Sequence, residues 1–265
     1  TNGEVIGRGS TQAAGQAHAE IMALRDAAQR GHSTLGATAY VTLEPCAHKG
    51  RTGPCCDALV HAGIARVVAS LQDPNPLVGG QGFARLRAAG IEVSVGIGAE
   101  NSRELNLGFL SRIVRKRPWV RMKIAASLDG VTALSNGQSQ WITSPQSRMD
   151  GHLWRARACA VMTGSGTVLA DNPVLNVRGI DTPRQPHLVV LDSSLRTPLG
   201  AALWQESRKV FIYGAEDPQK RADALRQCGA QVLLASTSSS AAHPRVDLVA
   251  ALQDLAAHEV NELHV

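Results

Sequence analysis

The sequence predicts two consecutive α/β domains, on three observations. Its 265 residues exceed the ~150 of a typical single domain. Short apolar, β-branched runs alternate with helical patterns along most of the length, the layout of a parallel or mixed sheet covered by helices. A basic stretch ending in proline, Val114-Arg115-Lys116-Arg117-Pro118, interrupts that alternation. Proline cannot continue a helix, so the boundary is placed there, with residues 1–116 before it and 117–265 after it. The three cations read as a solvated connection.

In the first domain, residues 1–10 suggest a strand or hairpin around Asn2-Gly3, a turn-favouring pair. His18 to Arg30 is helical, with Ile21, Leu24 and Ala28 on one face and Gly31 as its stop. Ala37 to Leu43 is a strand that ends at Glu44-Pro45, and Pro54 opens a helix from Cys55 to Ala62. A strand over 66–71, a helix over 83–89, a strand over 91–97 and a helix over 99–113 complete this half.

In the second domain, Trp119 to Ala126 is a strand and Ser127-Leu128-Asp129-Gly130 a turn. Ser144 followed by Pro145 is a helix start, and that helix runs to Ala158. A strand over 159–163 enters the turn Gly164-Ser165-Gly166-Thr167. Later strands cover 187–192, 209–213, 231–235 and 262–265, with helices near 217–227 and 247–258. Gly164 and Gly166 lack the third glycine of a dinucleotide fingerprint. Free N–H groups at such a turn can still cradle a phosphate.

Composition narrows the function classes. No apolar run approaches the ~20 residues of a membrane span, and no secretory leader is visible, so the expectation is a cytoplasmic protein with no membrane partner. The formal charge is +5, which favours anionic ligands. Aromatics are only 3%, and stacking on nucleic acid needs exposed rings, so a small phosphorylated ligand is expected and nucleic acid is not. Five cysteines are too few for a disulfide scaffold and fit metal thiolates in a reducing compartment. A homo-oligomer is compatible with everything in the sequence.

The chemistry concentrates in His18-Ala19-Glu20, Pro45-Cys46 and Cys55. One imidazole and two thiolates leave a fourth zinc position open for water, the catalytic arrangement. A glutamate two residues after the histidine is the acid/base of zinc deaminases acting on nucleobases, where it is not itself a ligand. Zinc makes water acidic enough to attack at neutral pH, and Glu20 would move the protons. A closed structural zinc would need a fourth ligand, for which His48 is the nearest spare residue, and would have no use for Glu20. Cys56 reads as a small buried helix residue. Eight residues separate Cys46 from Cys55, and within them His48, Lys49, Arg51 and Thr52 suit a phosphate.

The segments TLEPCAHKGRTGPCCDAL and QDPNPLVGGQG resemble the deaminase half of the bifunctional riboflavin-biosynthesis deaminase–reductase family, including its eight-residue cysteine spacing. The resemblance implies a cytidine-deaminase-like three-layer domain acting on a diaminopyrimidinone ribosylamino-phosphate. It also implies that His18, Cys46 and Cys55 bind zinc while Glu20 shuttles the proton. Ala47 stands where many relatives have serine.

KIAASLDG, SQWITS, GSGTVLADNPVLNVR and VVLDSS resemble the reductase half of that family. This implies a dihydrofolate-reductase-like domain that uses NADPH to convert the ribosyl group to ribityl. By matched position, Ala125, Trp141, Thr167, Asp171 and Ser193 would contact NADPH, and Ser139, Arg155, Leu175 and Arg178 the substrate. Paired guanidiniums suit a phosphate better than lysine does. Lys123 is a further candidate for polarising the ribosyl group. Both domains are expected to be truncated relative to the family, at the N-terminal side of the first and the C-terminal side of the second, with reduced activity as the consequence. Two other readings stay open: a tRNA-type nucleic-acid deaminase, and a catalytically inactive zinc-stabilised binding protein.

Overall fold

The computed structural model describes residues 3–48, 53–235 and 244–265. Lys49, Arg51, Thr52 and Asn2, singled out in the sequence, lie outside the described residues. The chain divides into two compact units, Thr1–Leu110 and Ser111–Val265.

The first unit runs α1 (Ala19–Gln29), β1 (Thr38–Val41), α2 (Cys55–His61), β2 (Arg66–Ala69), α3 (Gln81–Ala88), β3 (Glu92–Val95), α4 (Ala99–Leu105) and the start of α5 (Leu107–Arg115). The three strands form a parallel sheet in the order β1-β2-β3, with Ala39, Val67 and Val93 in register. Cys56, Leu59, Ile64, Val67, Leu86 and Ile91 form the core between sheet and helices. Cys56 is thus the buried helix residue its position suggested.

Residues 3–10 differ from expectation, because they form no strand and lie against α1. The two backbones come so close that a Cβ on Gly7 would stand 2.4 Å from the Ala23 carbonyl oxygen, and one on Gly9 2.3 Å from that of Ala19. Only glycine permits such an approach. The Arg8 N–H donates to the Asp26 carboxylate at 2.8 Å, pinning this segment to the helix. The single helix expected over 99–113 is two. Asn106, at φ −117°, breaks it and turns its side chain back to donate to the Ser102 carbonyl, the local competition with helix bonding that makes asparagine a poor interior residue.

The second unit contains β4 (Trp119–Arg121), α6 (Pro145–Arg157), β5 (Ala160–Gly164), α7 (Ser165–Asp171), β6 (His187–Leu191), a 3-10 turn (Ala202–Gln205), β7 (Val210–Gly214), α8 (Ala222–Gln227), β8 (Ala230–Leu234), α9 (Leu248–Ala257) and β9 (Glu262–His264). Six strands make one parallel sheet in the order β4-β9-β5-β6-β7-β8. Successive side chains enter opposite cores: Leu188, Val190 and Ile212 on one face, Val189, Phe211 and Tyr213 on the other. Burial on both faces explains why these strands read as unbroken apolar runs. The α/β reading holds in both units.

Two assignments in this unit change. The strand expected over 119–126 is observed only over Trp119–Arg121, in register with Glu262–His264 of β9. One further bond, from the Lys123 N–H to the Val265 carbonyl at 2.8 Å, leaves Met122 and Ile124 exposed. The glycine turn after β5 is instead the start of α7, capped by Gly164. The weak helix formers Ser165 and Gly166 hide it in the sequence. The predicted Ser144 cap is present, its hydroxyl accepting the Ser147 N–H at 3.1 Å. No helix among the described residues is long and apolar enough to cross a membrane.

Candidate functional site

His18 is the residue just before α1, held in extended conformation at φ −76° and ψ 167°, and Glu20 stands in the helix's first turn. Cys46 follows the end of β1, and Cys55 is the first residue of α2. These three element ends converge. The His18 Nδ1 lies 3.6 Å from the Cys46 Sγ and 3.3 Å from the Cys55 Sγ, and all three ligand atoms fall within 4.8 Å of one another.

Zinc bonds of ~2.0 Å to nitrogen and ~2.3 Å to sulfur, at tetrahedral angles, put neighbouring ligand atoms about 3.6 Å apart. The observed N···S separations match that spacing, so the donor set fits zinc. His48 is not part of the cluster, so the set stops at three ligands among the described residues.

The electrostatics favour a cation. The Cys46 thiol is pulled down to about 5, chiefly by its hydrogen bond with the Cys55 thiol and further by the Cys55 N–H and His18, against burial. The Cys55 N–H donates to the Cys46 sulfur at 3.3 Å. Cys55 itself is pushed upward, first by the same shared bond and then by burial. The shared hydrogen bond thus favours ionisation of one thiol of the pair, and metal binding would need both as thiolates. Burial likewise raises Glu20 above the ordinary carboxylate range, with the nearby Cys46 adding to it.

His18, Glu20 and Cys46 open into a cavity of about 1120 Å³, which is also lined by His48, Asp73 and residues of β1 and the 3–9 segment. A three-ligand metal cluster facing a cavity, with a half-buried glutamate beside it, can activate water and relay protons to a bound ring.

In the second unit, the strands β4, β9, β5 and β6 run parallel, so their carboxyl ends lie on one edge, where open α/β sheets bind ligands. Several of the matched residues fall there. Ala125 follows β4 in half-buried coil, Thr167 is exposed in α7 just past β5, and Ser193 lies just past β6. A Cβ on Gly164 or Gly166 would meet nothing within 4 Å, so space is open above the end of β5 for a cofactor. Asp171 is the exposed last residue of α7.

A second group forms around Arg155 on α6. Its guanidinium donates to the Asn176 carbonyl at 2.8 Å, and the Arg178 N–H donates to the His152 Nδ1 at 3.3 Å. Burial and the neighbouring Arg178 both depress Arg155, and burial with both arginines depresses His152. The structure thus brings Arg155 and Arg178 together as a cationic pair, while Leu175 packs against the core. Leu175 sits at φ 57° and Asn172 at φ 42°. The segment between them is tethered by Arg208, whose guanidinium donates to the Leu175 carbonyl at 2.8 Å and to that of Val174.

Ser139 and Trp141 stand apart, both exposed in the coil before α6. Trp141 is 69% exposed, with Arg148 stacked 4.2 Å from its ring. Sequence reasoning missed His152, although its three-residue offset from Arg155 places both on one helix face. It also passed over Glu44, whose partners are far away in sequence.

Two family descriptions match the chain. "Cytidine and deoxycytidylate deaminase zinc-binding region" covers residues 1–71, and "RibD C-terminal domain" covers residues 118–265. Riboflavin biosynthesis protein RibD of Escherichia coli is 44% identical over 277 aligned positions, covering 100% of this chain and 72% of that protein. The RibD of Aquifex aeolicus is 45% identical, covering 88% and 64% respectively. Among solved structures, Acinetobacter baumannii RibD superposes with a TM-score of 0.87 at 40% identity over 100% of this chain and 71% of that one. A Thermotoga maritima structure described as a diaminohydroxyphosphoribosylaminopyrimidine deaminase/5-amino-6-(5-phosphoribosylamino)uracil reductase gives 0.85 at 32% identity, with 100% and 71% coverage. With a zinc-fitting cluster in one unit, a parallel reductase sheet in the other and relatives aligned across both, the chain belongs to the RibD family of riboflavin biosynthesis, which joins a zinc-dependent deaminase to an NADPH-dependent reductase.

Proposed function

We propose that residues 1–116 deaminate a diaminopyrimidinone ribosylamino-phosphate and that residues 117–265 reduce its ribosyl group to ribityl. The observation that carries the first step is the three-ligand cluster of His18, Cys46 and Cys55 with Glu20 beside it, open to a cavity. Zinc supplies the Lewis acidity that makes water nucleophilic near neutral pH. His18, Cys46 and Cys55 hold it. Glu20 takes one proton from water and delivers it to a ring nitrogen, then takes the remaining hydroxyl proton of the adduct and delivers it to the leaving amine. Water enters, a C–N bond breaks, and the products are a ring carbonyl and ammonia. Burial of Glu20 supports this role, because an upward-shifted carboxyl is a better proton donor at neutral pH.

For the second step, NADPH supplies the hydride. The chain positions the reactants: Ala125, Trp141, Thr167, Asp171 and Ser193 for the cofactor, and Ser139, Arg155, Leu175 and Arg178 for the substrate. The cationic pair Arg155 and Arg178 supports a phosphate site there. A small metabolite as substrate, rather than nucleic acid, is supported by the 3% aromatic content, and a cytoplasmic location by the thiol-rich metal cluster.

Ammonia release from the pyrimidine phosphate, with and without NADPH, tests the reading. Wild-type chain is expected to release ammonia, and Glu20→Gln to be slower by ~10²–10⁴-fold, the usual weight of general acid–base catalysis. Equal rates from the two would overturn the assignment. Zinc retained with no turnover in the wild type would leave the scaffold reading instead.

A further inference from the structure

We propose that Glu44 is a positioning residue of the deaminase: a buried carboxylate that fixes the loop 72–83 to the end of β1 and so sets where Asp73 stands on the wall of the cavity into which the metal cluster opens. The proposal rests on the deaminase reading above.

Glu44 is 6% exposed. One carboxylate oxygen accepts the N–H groups of Asp73 at 3.1 Å and Gly80 at 2.8 Å. The other accepts those of Gly82 at 2.8 Å and Phe83 at 3.3 Å. Those bonds use the ~four lone-pair sites of an ionised carboxylate. Gly82 and Phe83 belong to the first turn of α3 and Gly80 is its N-cap, a helix end where negative charge is favoured. The backbone of one loop therefore compensates the buried charge, and the loop's shape is tied to it.

The loop is pressed onto the same spot sterically. A Cβ on Gly82 would stand 2.0 Å from the Pro45 carbonyl oxygen, and one on Gly79 2.5 Å from that of Asp73. Asp73 in turn accepts the Asn75 N–H at 2.8 Å and lines the cavity shared by His18, Glu20, Cys46 and His48. Arg85 on α3 adds an outer strut, donating to the Ala47 carbonyl at 3.1 Å and pairing with Asp57 at 2.8 Å. Residues on both sides of Cys46 are thereby bound to α3, and Glu44 is the inner link between ligand and loop.

Glutamine has the same shape as glutamate but replaces one acceptor with an NH₂, which would face two N–H donors and leave them unsatisfied. The loop should detach from Glu44 on the Asp73 or the Gly82 side while Cys46 stays in place. The test compares wild type, Glu44→Gln and the milder, half-exposed Arg85→Gln. Three quantities are measured: zinc content, deaminase kcat and KM by ammonia release, and reductase rate in the same chain.

Glu44→Gln is expected to keep its zinc and its reductase rate while deaminase KM rises about tenfold, equivalent to about 1.4 kcal/mol, with kcat changed less. Arg85→Gln is expected to raise KM in the same direction by a smaller factor. Wild-type KM in Glu44→Gln would overturn the proposal, as would a parallel loss of reductase activity or of zinc. If Glu44→Gln is insoluble, an unchanged KM in Arg85→Gln overturns it. Absence of ammonia release from the wild type itself would instead defeat the deaminase reading, and Glu44's role with it.

Discussion

Glu262 opens β9, and two arginines grip its carboxylate. Arg157 of α6 donates to it through two nitrogens, each at 2.9 Å, and Arg121 at the end of β4 donates at 3.2 Å. Only 13% of the Glu262 side chain is exposed, against 25% for Arg121 and 35% for Arg157. The Trp154 ring packs against both guanidiniums, at 4.0 Å and 5.9 Å. Glu262→Ala would leave two partly buried cations facing each other without their shared anion. Breaking a fully buried pair costs ~3–5 kcal/mol. With Arg157 about a third exposed, solvent screening brings the expected cost to about 2–3 kcal/mol. At ~2–4 °C per kcal/mol for a domain of this size, the second domain's Tm should fall by about 4–12 °C. Differential scanning calorimetry measures this directly, and a cycle with Arg121→Met should show coupling of about 0.5–3 kcal/mol between the two positions. A Tm shift below about 1 °C would refute the reasoning, because the three charges would then be acting as independent surface groups.

Two further outcomes are expected. His18→Ala and Cys46→Ala should each lose zinc on dialysis while Cys56→Ala retains it; full retention in either of the first two would mean the ligands are misassigned. His264, 5% exposed, is held below the ordinary histidine range by burial, then by Arg155, Arg121 and Lys123. Below pH ~6.5 the unfolded chain therefore binds a proton that the native chain does not. The corresponding stability is fully present above that pH and lost as pH falls, so His264→Leu should flatten the decline in Tm between pH 7 and 5. Identical slopes for wild type and variant would refute this.

The metal site was legible because its residues sit at element ends marked by local signals. His18 precedes a clear apolar helical stripe, and Pro54 announces the helix that begins at Cys55, so convergence of the three ligands needed only a β-α layout. The strands of the second unit were legible for a similar reason, being buried on both faces. What stayed hidden depends on distant partners. Nothing near Glu44 in sequence shows that it bonds to backbone 29–39 residues later. Residues 122–126 have strand propensity, yet among the described residues only the Lys123 N–H continues the pairing of β4. Residues 1–10 carry the turn pair Asn2-Gly3, which suggests a hairpin, yet Gly7 and Gly9 serve close approach to α1. α7 went unread because glycine and serine at its start outweigh the apolar Val168, which only tertiary burial reveals.

The backbone between Asn172 and Leu175 bears on how this protein can vary. An L-residue in the left-handed region costs ~1–2 kcal/mol, and two such residues, Asn172 and Leu175, stand three positions apart here. Neither is glycine, so tethers from elsewhere must hold the shape: Asn172 accepts the Ala202 N–H at 2.8 Å, and Arg208 holds the carbonyls of Val174 and Leu175. Mutational drift at Arg208 is therefore constrained by a segment that ends 33 residues earlier in the sequence. A lineage that replaced Leu175 with glycine would relax that constraint and free Arg208 to change, at the expense of Leu175's packing against the core. The order in which those two positions can be exchanged is written into the torsion angles of the segment that leads to Arg178.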